Sequence, residues 1–179
     1  MSTPPQRSQL PRILDPRRLA NQGETLSGQV SVSHCERLRD AVLAINAPIH
    51  AELVFEMAEQ GRKVVAGSVK TIVEVACQRC LQPMTLPLDV DFRLGIVWSE
   101  DEAKSLPKDL DPWVVEQETA DLSGMVEDEL LLALPFVTYH PSESCKAEPH
   151  VSASTEPKES GKENPFSILE QLKNSGSDH

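Results

Sequence analysis

The sequence predicts an α+β domain: an antiparallel β-sheet with helices packed on it, flanked by disordered N- and C-terminal tails. Three observations carry this. Apolar and polar residues alternate over three consecutive stretches, the period-two pattern of half-buried strands. Two other stretches begin with helix-capping residues and continue with apolar residues at helical spacing. Both ends are rich in Pro, Ser and charged residues and poor in large apolar ones. At 179 residues the chain suits one domain with tails better than two full domains.

Taken in order, residues 1–20 read as a basic flexible arm and residues 21–146 as the folded domain. A short strand is expected within residues 24–32. Ser33-His34-Cys35-Glu36 fits a capping box, with Leu38, Val42 and Leu43 on one face of the helix that follows. Ile49, Ala51, Leu53, Phe55 and Met57 alternate with His50, Glu52 and Glu56, and Glu59-Gln60-Gly61-Arg62 makes a hairpin loop. Val65, Val69, Thr71, Val73 and Val75 alternate with Ser68, Lys70 and Glu74. From Met84 to Trp98 every even position is apolar, and Pro87 on the outward set marks an edge. These strands form a meander in a sheet of three to five strands. Asp121 is placed to cap a second helix through Leu122, Met125, Val126, Leu130 and Ala133, ended by Pro135, with Glu127-Asp128-Glu129 on its exposed side.

Residues 147–163 read as a disordered linker and residues 164–174 as a short helical docking segment. Asn164 caps it, Pro165 suits its first turn, and Phe166, Leu169 and Leu172 recur at threefold spacing as candidate anchors for a partner.

The formal net charge is −11, and residues 100–145 alone hold twelve carboxylates against two lysines. Such a body repels phosphate backbones over most of its surface. Any nucleic-acid contact is therefore expected from the arginine arm, with Arg7, Arg12, Arg17 and Arg18, from a local patch, or through a protein partner. No run of about 18 apolar residues exists, and the longest apolar stretch, residues 130–137, contains a proline. The first fifteen residues lack the apolar region of a secretory signal. A cytoplasmic monomer with reduced cysteines is expected.

Cys77-Gln78-Arg79-Cys80 falls at the turn between two strands, and His140-Pro141-Ser142-Glu143-Ser144-Cys145 follows the second helix. Cys77, Cys80 and Cys145 as thiolates with His140 as imidazole make a Cys₃His set, the composition of a closed structural zinc site. Three readings stay open: structural zinc, simply buried thiols, and a redox pair. The redox reading is the weakest of the three, because the chain after Cys80 alternates as a strand and gives no helix N-terminus to lower a thiol pKa. Cys35 shares an apolar helical face and reads as core. There is no G-x-S-x-G, P-loop or dinucleotide fingerprint, and the acidic runs read as solvated surface, so no enzyme is expected. Phe55, Phe92 and Trp98 lie on apolar stripes and read as core rather than as a platform for RNA bases.

Several of these pieces, with Leu14-Asp15-Pro16, Gly23, the Cys77–Cys80 turn, Met125-Val126-Glu127-Asp128-Glu129-Leu130-Leu131-Leu132-Ala133-Leu134-Pro135, His140 with Cys145, and Asn164-Pro165-Phe166, recur in one order. In these the chain resembles the YceD family of bacterial large ribosomal RNA subunit accumulation proteins, over roughly residues 14–173. The resemblance implies a role in synthesis, processing or stability of the large-subunit (23S) ribosomal RNA. It brings no catalytic residue with it, and it does not bring zinc. The expectation is a non-enzymatic ribosome-biogenesis factor that binds a ribosomal protein, an rRNA-processing enzyme or a large-subunit precursor. The alternatives are a small rRNA-binding module using its arginine arm, and a metal- or redox-handling protein using the C-x₂-C turn.

Overall fold

The structure, a computed structural model, describes residues 9–141 and 143–145. In chain order its elements are β1 (Ile13–Leu14), α1 (Pro16–Gln22), β2 (Thr25–Val30), α2 (Glu36–Ala41), β3 (Ala44–Ile45), β4 (Ile49–Met57), β5 (Lys63–Ala76), β6 (Pro83–Val97), α3 (Glu100–Ala103), β7 (Asp111–Val114), β8 (Ala120–Asp121) and α4 (Leu122–Ala133). The main sheet runs β2-β4-β5-β6-β7, with β3 pairing onto β5 beyond the end of β4. The α+β class is as expected, and β4, β5 and β6 form the meander. The sheet is nonetheless six-stranded rather than three- to five-stranded, and it is mixed: β7 lies parallel to β6 after the α3 crossover. Four residues containing Pro112 gave too short a pattern to read as a strand.

Register explains the core. Phe55 pairs with Val65 and Val65 with Leu94, while Ala51 pairs with Val69 and Val69 with Val90, so one face collects the apolar sets of all three strands. Gly67 lies between Leu53 and Phe92, and a Cβ there would meet the Glu52 carbonyl and Leu53 at 2.7 Å. Helix α1 packs on β4 and β5, α4 packs on β6, and α2 packs on α4. The hairpin between β4 and β5 turns through Gln60 and Gly61, both at positive φ. Among the described residues, no helix is long and apolar enough to cross a membrane.

Four further expectations are corrected. The described part of the N-terminal stretch is folded rather than a flexible arm: Leu10 donates to the Gln29 carbonyl, β1 pairs with β8, and Asp15 caps α1 through the Arg18 N–H at 2.9 Å. Leu10, Leu14 and Ala20 are buried there, a small apolar set hidden among Pro and Arg. The capping box at Ser33 does not form; a 3₁₀ turn occupies Val32–His34, α2 starts after Cys35 without a side-chain cap, and Val42 is extended. Glu127 is buried rather than exposed; it accepts the Leu38 N–H at 2.9 Å and bonds Arg37 at 2.8 Å. Trp98 follows the end of β6 half-exposed rather than in the core. Asp121 does cap α4, accepting the Gly124 N–H at 3.0 Å.

Candidate metal centre

The site grows from the hairpin between β5 and β6. The last pair is Ala76 with Pro83, and the intervening turn closes with the Cys77 N–H on the Gln82 carbonyl (2.9 Å) and the Leu81 N–H on the Cys77 carbonyl (2.8 Å). A turn this tight aims both cysteine side chains of C-x₂-C to one side. Helix α4 stops before Pro135, which cannot continue it, and the chain then runs back along the turn. Gln78 donates its N–H to the Thr138 carbonyl at 2.8 Å and its side-chain amide to the Phe136 carbonyl at 3.1 Å, and the Thr138 hydroxyl donates to the Ala76 carbonyl at 2.8 Å. A last turn, in which Ser144 and Cys145 donate to the Pro141 carbonyl, brings Cys145 inward.

The result unites Cys77, Cys80, His140 and Cys145, whose ligand atoms all lie within 4.8 Å of one another. The Cys77 and Cys145 sulfurs are 4.0 Å apart, and the Cys80 sulfur is 3.3 Å from Nδ1 of His140. Tetrahedral ligation with zinc–sulfur bonds of about 2.3 Å puts neighbouring sulfurs about 3.8 Å apart, and a sulfur and an imidazole nitrogen about 3.5 Å apart. These two spacings are compatible with the set holding one zinc ion. Nε2 of His140 donates to the Pro83 carbonyl at 3.1 Å, which fixes the tautomer and turns the Nδ1 lone pair toward the sulfurs.

The electrostatics match that use. Burial alone raises the Cys77 thiol, but the backbone N–H groups of Cys80, His140 and Arg79 outweigh it and bring the pKa down to about 5. At Cys80 the Gln82 N–H favours the thiolate, yet burial and the Cys77 and Cys145 sulfurs outweigh it and raise the pKa. Cys35 lies elsewhere, fully buried, and burial with the Glu127 and Asp121 charges pushes it up to about 11, so it is unreactive.

The arginines divide. Arg17 is buried: its guanidinium donates to the carbonyls of Val97, Val115 and Gln117 and lies 3.2 Å from the Trp98 ring centroid. It is a structural residue, which corrects the expectation of an RNA or partner contact. Arg12 is exposed but bonded to Asp121 at 2.9 Å, and Arg18 is exposed. Arg7 and the anchors Phe166, Leu169 and Leu172, with the linker 147–163 and segment 164–174, lie outside the described residues.

Sequence reasoning missed the apolar side chains on the β5–β6 turn, the stretch after α4 and the end of α4. Leu81, Leu132, Phe136, Val137 and Tyr139 are all exposed there, with Arg79 over the Tyr139 ring at 5.2 Å. The signal was present: the apolar run 130–137 continues past the proline that ends the helix.

The family model described as "Large ribosomal RNA subunit accumulation protein YceD" matches residues 65–173, which contain Cys77, Cys80, His140 and Cys145. The chain is also similar to the Large ribosomal RNA subunit accumulation protein YceD of Haemophilus influenzae, with 33% identity over 171 residues, covering 94% of this chain and 98% of that protein. No solved structure matches.

Proposed function

Because the chain belongs to the YceD family of large ribosomal RNA subunit accumulation proteins, we propose that it promotes synthesis, processing or stability of the large-subunit ribosomal RNA in the cytoplasm by binding a protein partner or precursor particle, without chemistry of its own, and that its cysteine–histidine cluster is a structural zinc centre. Family membership carries the ribosomal reading, and the Cys₃His set supports the zinc reading. Four protein ligands leave a tetrahedral ion no open position for water or substrate, which is the hallmark of a structural rather than catalytic site. Zinc bound there supplies folding energy, holding the return stretch 136–145 on the hairpin tip.

The alternatives have less support. Arg17 is spent on backbone carbonyls and Arg12 on Asp121, so an arginine arm offers few free cations to RNA. The redox reading needs Cys77 and Cys80 as an isolated pair, whereas His140 and Cys145 share their site.

The test is complementation of cells lacking the gene, reading the ratio of large- to small-subunit ribosomal RNA. Wild-type protein restores the ratio, and a Cys77→Ser, Cys80→Ser variant, checked for soluble expression, does not. A ratio unchanged by loss of the gene contradicts the ribosomal role. Full rescue by the double variant contradicts the need for zinc.

A further inference from the structure

Resting on the partner-binding part of that reading, we propose that the free edge of β7, with the groove between it and α4, takes an extended basic segment of a partner protein as an added strand. β7 ends the main sheet: it pairs with β6 on one side, and no described strand pairs with its other side. Register shows which groups face outward. The Val115 N–H bonds the Val97 carbonyl, so in this parallel ladder Asp111, Trp113 and Val115 turn their main chain toward β6. Val114, between them, turns its N–H and carbonyl away from the sheet. Unpaired main-chain groups on a terminal strand are the template that strand addition uses.

The edge does not face open solvent. It forms one wall of a groove of about 590 Å³, and the residues of β8 and the first turns of α4 form the other. Trp113 and Met125 give the groove an apolar lining, and Glu116, Asp121 and Asp128 give it charge. No Lys, Arg or His is among its lining residues. An added strand matched to the four residues of β7 therefore bonds main chain on one side and meets carboxylates and apolar surface on the other.

Charge selects the occupant. Residues 111–129 contain seven carboxylates and no Lys, Arg or His. Asp121 and Asp128 are each bonded to an arginine, Arg12 and Arg37, at 2.9 and 2.6 Å. Glu116 is exposed and has no ion-pair partner among the described residues. Burial, with the charges of Asp111 and Asp128, holds Glu129 above the usual carboxylate range, so the acids of β7 and α4 stand near enough to repel one another. Lysine or arginine side chains on an added strand relieve that repulsion, and an arginine also finds the Trp113 ring beside it. The same carboxylates repel RNA phosphates and the identical edge of a second copy. Residues 146–179 hold six carboxylates against four lysines, which makes the chain's own C-terminal stretch a poor match.

The experiment uses the full chain, immobilised, with the proteins extracted from purified large ribosomal subunits as one probe and naked large-subunit rRNA as the other. Any bound protein is identified and titrated singly. The expected result is saturable binding of one or a few basic proteins, with amide hydrogen exchange at Val114 slowed in the complex. Val114→Pro removes the outward N–H and keeps the bonds to β6, and it weakens binding about tenfold or more. Glu116→Lys does the same, while Glu59→Lys, an equal charge reversal at the exposed β4–β5 turn, stays within about twofold. Glu116 is exposed, so its variant melts near the wild-type temperature and carries the test even where Val114→Pro unfolds. Equal binding by wild type and both edge variants overturns the inference and leaves the partner-binding reading standing. A loss in Glu116→Lys alone, with Val114→Pro folded and binding as wild type does, overturns strand addition. Absence of any bound subunit protein overturns the inference, while rescue of the rRNA ratio by the same chain keeps the ribosomal role. Binding of naked rRNA, or self-association, that both edge variants abolish overturns the basic protein as occupant.

Discussion

The sulfurs of Cys77 and Cys145 lie 4.0 Å apart although 68 positions separate them in sequence. The distance is about twice a disulfide bond and close to the spacing of two thiolates on one tetrahedral ion. It joins the tip of the β5–β6 hairpin to the stretch that follows α4. Everything between, from β6 through α4, is enclosed in that loop. Closing a loop so long by a metal clip favours the folded state, because the unfolded chain gains nothing from the site.

Arg17 ties the N-terminal helix to the opposite end of the sheet through the carbonyls of Val115 and Gln117. Arg17→Ala leaves those carbonyls without their charged donor and uncovers Trp98, so a loss of about 3 kcal/mol is expected. Arg17→Lys recovers only part, because a single ammonium cannot span the same acceptors. Urea unfolding of both variants reads the difference; an unchanged midpoint for the alanine variant contradicts the structural role.

Glu127 joins α4 to the start of α2 by accepting the Leu38 N–H while bonding Arg37. Glu127→Ala orphans a buried donor and is expected to cost about 1–3 kcal/mol. Glu127→Gln keeps an acceptor for Leu38 and should cost less. Equal losses for the two, measured by denaturant unfolding, mean that the charge rather than the acceptor matters.

Asp121 supplies a pH dependence. Burial disfavours its charge, but the Gly124 N–H and Arg12 outweigh burial and hold its carboxyl below the usual carboxylate range. A folded pKa below the unfolded one means stability that is present above about pH 4 and is lost as the pH falls through the lower folded value. Asparagine is an equally good cap, so Asp121→Asn removes only the charge. The wild type should be the more stable at pH 6, and the gap should close as the pH falls below about 4. A gap that widens on acidification contradicts the assignment.

Any binding of naked rRNA by the full chain should be weak, with a salt dependence set by the N-terminal arginines other than Arg17. With Arg17 buried, Arg7, Arg12 and Arg18 release counterions from at most about three phosphates, and the log–log salt slope should be no steeper than about −3. A steeper slope returns the RNA-binding alternative to first place.

The sheet and the gathering of Cys77, Cys80, His140 and Cys145 were legible in the sequence for the same reason: each depends on residue types at a fixed period or spacing. Alternation from Met84 to Trp98 marks a strand wherever it goes, and C-x₂-C on a turn points two thiols one way. Arg17 and Glu127 were not legible, because a charged residue in a polar stretch reads as solvated, and only tertiary carbonyls or a distant N–H can bury it. The parallel strand β7 escaped because four residues cannot display a period. The exposed apolar stretch was half legible: residues 130–137 stay apolar past Pro135, but only the structure shows that Phe136 leaves the core.

The central claim is that one zinc ion joins Cys77, Cys80, His140 and Cys145. Native mass spectrometry of the full chain, purified without chelator or added metal, tests it most directly. The account predicts one zinc per chain in the wild type, none in a Cys77→Ser, Cys80→Ser variant, and a lower melting temperature for wild type after chelation. A metal-free mass for natively folded wild type, or one lowered by about 2 Da as two thiols become a disulfide, would contradict it.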